Sequence, residues 1–327
     1  MEYKVSIFSD NILKGQDKFD YDLFNQICLD YLVDITEFKI SPFDLDKITL
    51  QGDKNLIVFC ENRHLDNLII KNIRNLGSKK AIIGEQVVVF DKAGVKTIFV
   101  PLEEDLHLLQ KVFTKDENKK YCQFHIFGLS KEQVKNSLEN LKSRITGFSY
   151  KFIYDNLLCD IVMSYDGQSS LIDDNMVMIA SEFKQYLYSE NDMGLSEIVI
   201  RVLKLQNKTL AIIENVTQGE IAESLLKFQG QSVLKKVSFE DFETKTNEQL
   251  CEKAEVFKKE SQSDVAVVMS GQEVEGGLNF TFALAVNGEI HIYKNSFKAD
   301  KTSCIKMAKN SLLFHLAKKL REKNISF

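Results

Sequence analysis

Several short, mostly apolar runs constrain this chain more than any other feature. They are Lys4–Phe8, Leu56–Cys60 (LIVFC), Thr209–Glu214 (TLAIIE) and Asp264–Ser270 (DVAVVMS). Runs this short, without regular polar alternation, read as strands buried on both faces. Segments of helical period follow them. Phe19–Val33 repeats its apolar residues at Phe19, Leu23, Ile27, Tyr31 and Leu32, and Leu65–Leu76 reads as a helix ended by Gly77. Strands alternating with helices predict an α/β layer fold.

At roughly 100–200 residues per domain, 327 residues imply two or three domains. In the first, Val87–Phe90 and Thr97–Val100 flank a hairpin turn at Asp91-Lys92-Ala93-Gly94, and a helix is expected over Glu103–Phe113. The charged run Thr114–Lys120 marks a linker. Beyond it come a strand at Cys122–Phe127, a helix over Lys131–Arg144, strands at Ser149–Tyr154 and Cys159–Ser164, and a helix over Asp174–Tyr188. That order suits a small α+β module. The last segment opens with a helix at Leu195–Leu205. After strand Thr209–Glu214, a helix begins near Thr217 and another covers Glu248–Ser261. A hairpin turns at Asn287-Gly288 between Asn279–Val286 and Glu289–Phe297, and the amphipathic helix Thr302–Leu320 closes the chain. The expected domains are 1–118, 119–190 and 191–327.

Charge narrows the function classes. The chain carries 42 Lys+Arg against 47 Asp+Glu and has no strongly basic stretch, which argues against nucleic acid as a main partner. No run of 18 apolar residues occurs, and the opening MEYKVSIFSD does not read as a signal peptide. A cytoplasmic protein without a membrane partner is expected. Cysteines 28, 60, 122, 159, 251 and 304 include no CxxC pair and read as reduced, small apolar side chains. Histidines 64, 107, 125, 291 and 315 are scattered and read as structural, so no metal ligands are assigned.

Several motifs in order resemble the CinA (competence/damage-inducible protein A) family. Phe127-Gly-Leu-Ser-Lys-Glu132-Gln-Val134 resembles the family's "F-G-x-x-E-x-x-V". Glu190–Val199, with Ser196-Glu197, resembles its join into the C-terminal domain. Thr209-Leu-Ala-Ile-Ile-Glu214-Asn215-Val-Thr217-Gln-Gly219 lies where the family has "T-L-A-V-A-E-S-C-T-G-G", and Val268-Met-Ser270-Gly271 through Gly276-Gly277 where it has "V-T-G-x-A-G-P-G-G". Near the N-terminus, Ser9-Asp10-Asn11-Ile-Leu-Lys-Gly15-Gln16 stands in place of "G-D-E-L-L-x-G-Q", and Thr97–Pro101 in place of the strand entering "L-P-G-V-P-x-E-M". Phe59–Asn67 replaces the Gly-rich "T-G-G-L-G-P-T-x-D-D" loop without a glycine. The resemblance implies three modules. A shortened molybdopterin-cofactor-biosynthesis-like α/β/α domain leads, a small KH-like α+β domain comes second, and an α/β/α CinA C-terminal domain ends the chain.

The resemblance also implies two chemistries, both eroded. The family's C-terminal domain is commonly a nicotinamide mononucleotide deamidase, which needs a nucleophile, a proton acceptor and oxyanion donors. The family's serine is Asn215 here, and an amide cannot form an acyl intermediate. Ser232–Phe242 spans the Tyr/Lys segment but lacks a clear counterpart. Phe239 stands nearest the Tyr, and Lys235 or Lys236 nearest the Lys. Glu214, Thr217, Gly219, Ser270, Gly271, Gly276 and Gly277 remain. Thr217 either caps a helix that binds a phosphate, with Ser270 facing the same pocket, or is a plain N-cap among turn glycines. The plain reading is favoured. The N-terminal domain of several relatives hydrolyses ADP-ribose with a divalent metal. Here Asp10 survives, while Glu61-Asn-Arg63-His64 fills the phosphate loop, so Asp10 reads as a solvated turn residue and Arg63-His64 as an exposed pair.

Three functions are therefore in play. The first is a catalytically impaired CinA-like protein that binds a nucleotide or acts as a scaffold. The second is an amidohydrolase on nicotinamide mononucleotide using Thr217 or Ser270. The third is a metal-dependent ADP-ribose pyrophosphatase using Asp10, the one case that requires a cofactor. A small nucleotide ligand and a second copy of the chain are the expected partners.

Overall fold

β1 (Glu2–Ser9) finds a parallel partner on each edge: β2 (Asp34–Pro42) on one side and β3 (Leu56–Cys60) on the other. These pairings come from a computed structural model that describes residues 1–12, 18–50, 54–76, 79–83, 87–166, 173–190, 193–240 and 246–322. The sheet continues through β6 (Val95–Pro101), β5 (Val87–Lys92) and β4 (Lys79–Ile83), in the order β2-β1-β3-β6-β5-β4. β6 runs parallel to β3, while β5 and β4 are antiparallel. Every residue of β3 is buried, as its unbroken apolar run predicts.

Two helices cover opposite faces of this sheet. α1 (Tyr21–Asp30) is capped by Asp20, whose side chain accepts from Leu23 N at 2.9 Å. Its Phe24, Ile27 and Cys28 pack with Val5 and Ile57. α2 (Asn62–Leu76) sets Leu65, Leu68 and Ile69 against Val58 and Phe99 on the other face. The winding therefore reverses between β1 and β3. In open α/β sheets, the crevice outside the carboxyl ends of two such strands is where ligands bind.

A four-stranded sheet comes next, ordered β10-β7-β9-β8. Its strands are β7 (Lys119–Phe127), β8 (Ser149–Asp155), β9 (Leu158–Asp166) and β10 (Leu187–Ser189). α3 (Lys131–Arg144) starts with a reciprocal capping box between Ser130 and Gln133, and α4 (Asp174–Phe183) is capped by Asp173.

The third sheet has the order β12-β11-β13-β14-β15. It contains β11 (Leu210–Glu214), β12 (Leu234–Phe239), β13 (Val265–Val274), β14 (Gly277–Val286) and β15 (Glu289–Phe297). β11 is parallel to both neighbours, and β13, β14 and β15 form an antiparallel meander. α5 (Leu195–Leu205), α6 (Glu220–Leu226) and α8 (Lys301–Arg321) cover one face. α7 (Asn247–Glu260) covers the other with Leu250, Ala254 and Phe257. Contacts group the chain into two compact units, one built mainly from Met1–Tyr121 and the other mainly from Cys122–Ile145 and Ser170–Phe327. Among the described residues, no helix is long and apolar enough to cross a membrane.

The α/β class stands, and local differences have local causes. β2 has no counterpart in the sequence expectations, because as an edge strand it is largely exposed and lacks an apolar signature. β4, the opposite edge, has no counterpart either. The helix expected over Glu103–Phe113 is a short 3-10 turn, Leu106–Lys111. The helix expected to reach Tyr188 stops at Phe183, and β10 takes up the remaining apolar residues by pairing with β7. The strand after the charged linker starts at Lys119, inside the expected linker. Gly77, read as a helix terminator, lies outside the described residues, as do Leu13–Gln16, Asn191-Asp192 and Asp241-Phe242 of the motif segments.

Candidate functional sites

The first candidate lies at the reversal point between β1 and β3. β1 ends at Ser9 and β3 at Cys60, so the next residues, Asp10 and Glu61, emerge side by side. Glu61 Oε1 accepts from Ser9 Oγ at 2.7 Å and from the Asp10 backbone N–H at 3.1 Å. Arg63 and His64, in the first turn of α2, both turn back onto Asp10. Arg63 pairs with Oδ2, and His64 Nε2 lies 2.9 Å from Oδ1. The His64 ring stacks on Phe43 at 4.0 Å between centroids and 10° between planes. A carboxylate oxygen from Glu103 accepts from Asn62 N at 3.1 Å, and Lys18 lies 3.4 Å from its other oxygen.

Asp10, Lys18, Glu61, Asn62, Arg63 and Glu103 line an open cleft of about 880 Å³ that also takes in Asn11 and Glu104. One ligand-capable atom each from Asp10, Glu61 and His64 lies within 4.8 Å of the others. The adjacent Cys60 is inert: burial, then Glu61 and Glu103, push its thiol up to about 12.

The second candidate is the turn between β11 and α6. Glu214, the last residue of β11, is fully buried, and its carboxylate is saturated. It accepts from Thr217 Oγ1 at 2.7 Å, Gly219 N at 2.9 Å, Ala222 N at 2.7 Å and Ile221 N at 3.4 Å. The free N–H groups at the start of α6 therefore bind an internal carboxylate, an arrangement the helix dipole also favours. The capping position belongs to Gly219 at φ +96°, which corrects the expectation that Thr217 is an N-cap. Thr217 is instead buried, its hydroxyl 2.7 Å from Glu214 and 3.2 Å from Met269 Sδ.

Asn215 bridges two backbones. Its Nδ2 donates to the Glu240 carbonyl at 3.0 Å, and its Oδ1 accepts from Gly271 N at 3.4 Å. Ser270 is buried on β13, paired in register with Thr281. A Cβ on Gly271 would run into Val216, and one on Gly277 into the Phe297 carbonyl, so both glycines allow close packing. A nearby cavity of about 260 Å³ is lined by Val216, Val274, Leu278, Cys304, Gly276 and Gly277, among others. Glu214, Asn215, Thr217 and Ser270 are not among its described lining residues.

A protein of Clostridioides difficile (strain 630), described as competence-damage inducible, is 25% identical over 172 residues, which is 42% of this chain and 41% of that protein. Over less than half of its length, the chain is similar to a competence-damage inducible protein. It spans less than half the length of that curated relative. No family model matches. Among the similar solved structures are two of shorter chains. A competence-damaged protein (CinA) superfamily protein from Klebsiella pneumoniae 700603 is 18% identical, with 38% of this chain and 95% of that chain covered and a TM-score of 0.35. A competence or damage-inducible protein from Enterobacter asburiae is 16% identical, with 38% and 96% covered and a TM-score of 0.36.

The structure brings together Glu214, Thr217 and Gly219 around one carboxylate and ties Asn215 to Gly271. Gly276 and Gly277 line a separate cavity that also takes in Glu273, Asp300 and Lys301. Asp10 is exposed at a bend, as expected, but it is hydrogen-bonded to Arg63 and His64, which sit on a helix and not on a loop. Sequence reasoning missed Glu61 and His64 as companions of Asp10. Their only signal was position directly after a buried strand, and nothing local says that β1 and β3 are neighbours.

Proposed function

We propose that this CinA-family protein does not deamidate nicotinamide mononucleotide and acts instead as a nucleotide-binding or scaffolding component. The observation that carries this reading is Asn215. It stands at the family's serine position, and both ends of its amide are engaged in bridging backbones. The remaining hydroxyls give no substitute: Thr217 and Ser270 are both buried, and Thr217 donates to Glu214. A nucleophile must reach the carbonyl it attacks and must pass its proton to a base. The division at 118/119 and 190/191, and a homodimer, belong to the same proposal. Purified protein incubated with nicotinamide mononucleotide should release no ammonia above a protein-free blank. A sustained enzymatic rate would overturn the reading.

A second reading is favoured by the cleft at the reversal point. Asp10 and Glu61 present carboxylates there with cationic Lys18 and Arg63 nearby, a setting that suits metal-assisted hydrolysis of a pyrophosphate. Release of AMP from ADP-ribose, stimulated by manganese or cobalt and lost in Asp10→Ala, is its signature. Failure of every divalent metal to stimulate release would sink it.

A further inference from the structure

We infer that Asp10, Glu61 and His64 form a binding site for one first-row divalent cation of the manganese-to-zinc range. The inference rests on the cleft that the second reading uses, but it concerns binding and not turnover. Two of the three ligands, Glu61 and His64, come from the segment that stands in place of the Gly-rich loop of the CinA pattern.

The first support is geometric. Ligand oxygens and nitrogens sit about 2.0–2.2 Å from such a cation, so their mutual distances are on the order of 3–4 Å. The three donor atoms here lie within 4.8 Å of one another, with Asp10 Oδ1 and His64 Nε2 at 2.9 Å.

An independent support is an orphaned atom. Glu61 Oε2 is buried and has no hydrogen-bond partner among the described residues, although Oε1 of the same carboxylate has two. A buried carboxylate oxygen without a donor is costly, and a cation is one of the few groups that relieves it. Preorganisation adds to this. Ser9 Oγ and the Asp10 N–H hold the Glu61 carboxylate, and Phe43 holds the imidazole plane.

Donor chemistry selects the ion. Two carboxylates and one imidazole favour manganese to zinc over magnesium or calcium, which prefer oxygen alone. Three protein ligands leave coordination positions for water or substrate, and two of the three, Asp10 and Glu61, line the 880 Å³ cleft. Arg63 supplies positive charge to Asp10 Oδ2, and its side chain is 67% exposed. It can swing outward when a cation takes over that role, which would place a guanidinium beside whatever anion the cation recruits.

The test uses the full chain, stripped with a chelator and dialysed, then titrated separately with Co²⁺, Zn²⁺ and Mg²⁺. One equivalent of Co²⁺ or Zn²⁺ should bind, Mg²⁺ should bind at least about tenfold more weakly, and Co²⁺ should develop a visible d–d band with nitrogen ligation. Glu61→Gln and His64→Asn should each weaken binding by about tenfold or more, the scale on which ligand-shell changes act. If a variant no longer melts cooperatively, paramagnetic broadening of the His64 ring resonances by Co²⁺ in the unmodified chain replaces it. The absence of stoichiometric binding overturns the inference, as does binding that leaves His64 unbroadened or is indifferent to both substitutions. Metal-dependent AMP release that survives Glu61→Gln and His64→Asn also overturns it, while leaving the pyrophosphatase reading intact. Stoichiometric binding without AMP release does the reverse.

Discussion

The Thr217 hydroxyl donates to the Glu214 carboxylate at 2.7 Å, and both residues are fully buried. Removing the hydroxyl leaves a buried carboxyl group short of one hydrogen-bond donor, which costs about 1–3 kcal/mol. Thr217→Ala should lower stability by that amount in urea unfolding, and Thr217→Ser should restore most of it. Were Thr217 a nucleophile, the alanine variant would instead abolish an amidase activity at nearly unchanged stability.

Asn215→Ser restores the family's nucleophile type but not its surroundings. The serine would lack the bridge to Glu240 and Gly271, and the Tyr/Lys segment has no clear counterpart. The expected result is no ammonia release from nicotinamide mononucleotide, with a stability loss of about 1 kcal/mol for the broken hydrogen bonds. A gain of deamidase activity in the same assay would mean that the rest of the site is intact.

Gly271 and Val216 occupy one space. Gly271→Ala would drive its methyl into the Val216 side chain, an overpacking cost of about 1–3 kcal/mol. Val216→Ala should relieve it, so the double variant should be more stable than the sum of the two single losses predicts. A double-mutant cycle by thermal unfolding measures that coupling, and strict additivity would refute the contact.

His315 makes stability depend on pH. Burial, with Lys318 and Lys319 nearby, lowers its pKa from the ordinary 6.5 to about 4, and its ring stacks on Tyr293 at 4.0 Å. The unfolded chain therefore takes up a proton below pH 6.5 that the folded chain resists until about pH 4. Stability from this group is complete above the unfolded pKa and is lost as pH falls through that window, by an amount on the order of 3 kcal/mol at most. His315→Phe should flatten the slope of unfolding free energy between pH 6.5 and 4. An unchanged slope would show that other groups dominate it.

Much of the fold was legible because burial leaves a local trace. β3, β11 and β13 declared themselves as apolar runs, and α3 and α5 match the expected Lys131–Arg144 and Leu195–Leu205. The edge strands β2 and β4 left a weaker trace, because their stability comes from backbone pairing with a neighbour and less from side-chain burial. Of the candidate sites, Asn215 could be read directly, since substituting an amide for a hydroxyl changes chemistry wherever it sits. The inward turn of Thr217 could not, because a threonine after a strand suits a helix cap equally well.

The sequence by itself determined the α/β class, most element positions, the CinA resemblance and the change at Asn215. Periodicity and residue chemistry are local properties, carried within a few turns of chain. Only the tertiary structure decided that Asp10 meets Glu61 and His64, and that Glu214 fills the start of α6. Both depend on contacts outside any local pattern. The first needs β1 and β3 to be neighbours, although β2 and α1 lie between them in the chain. The second needs a left-handed turn at Gln218-Gly219 that folds four donors around one carboxylate.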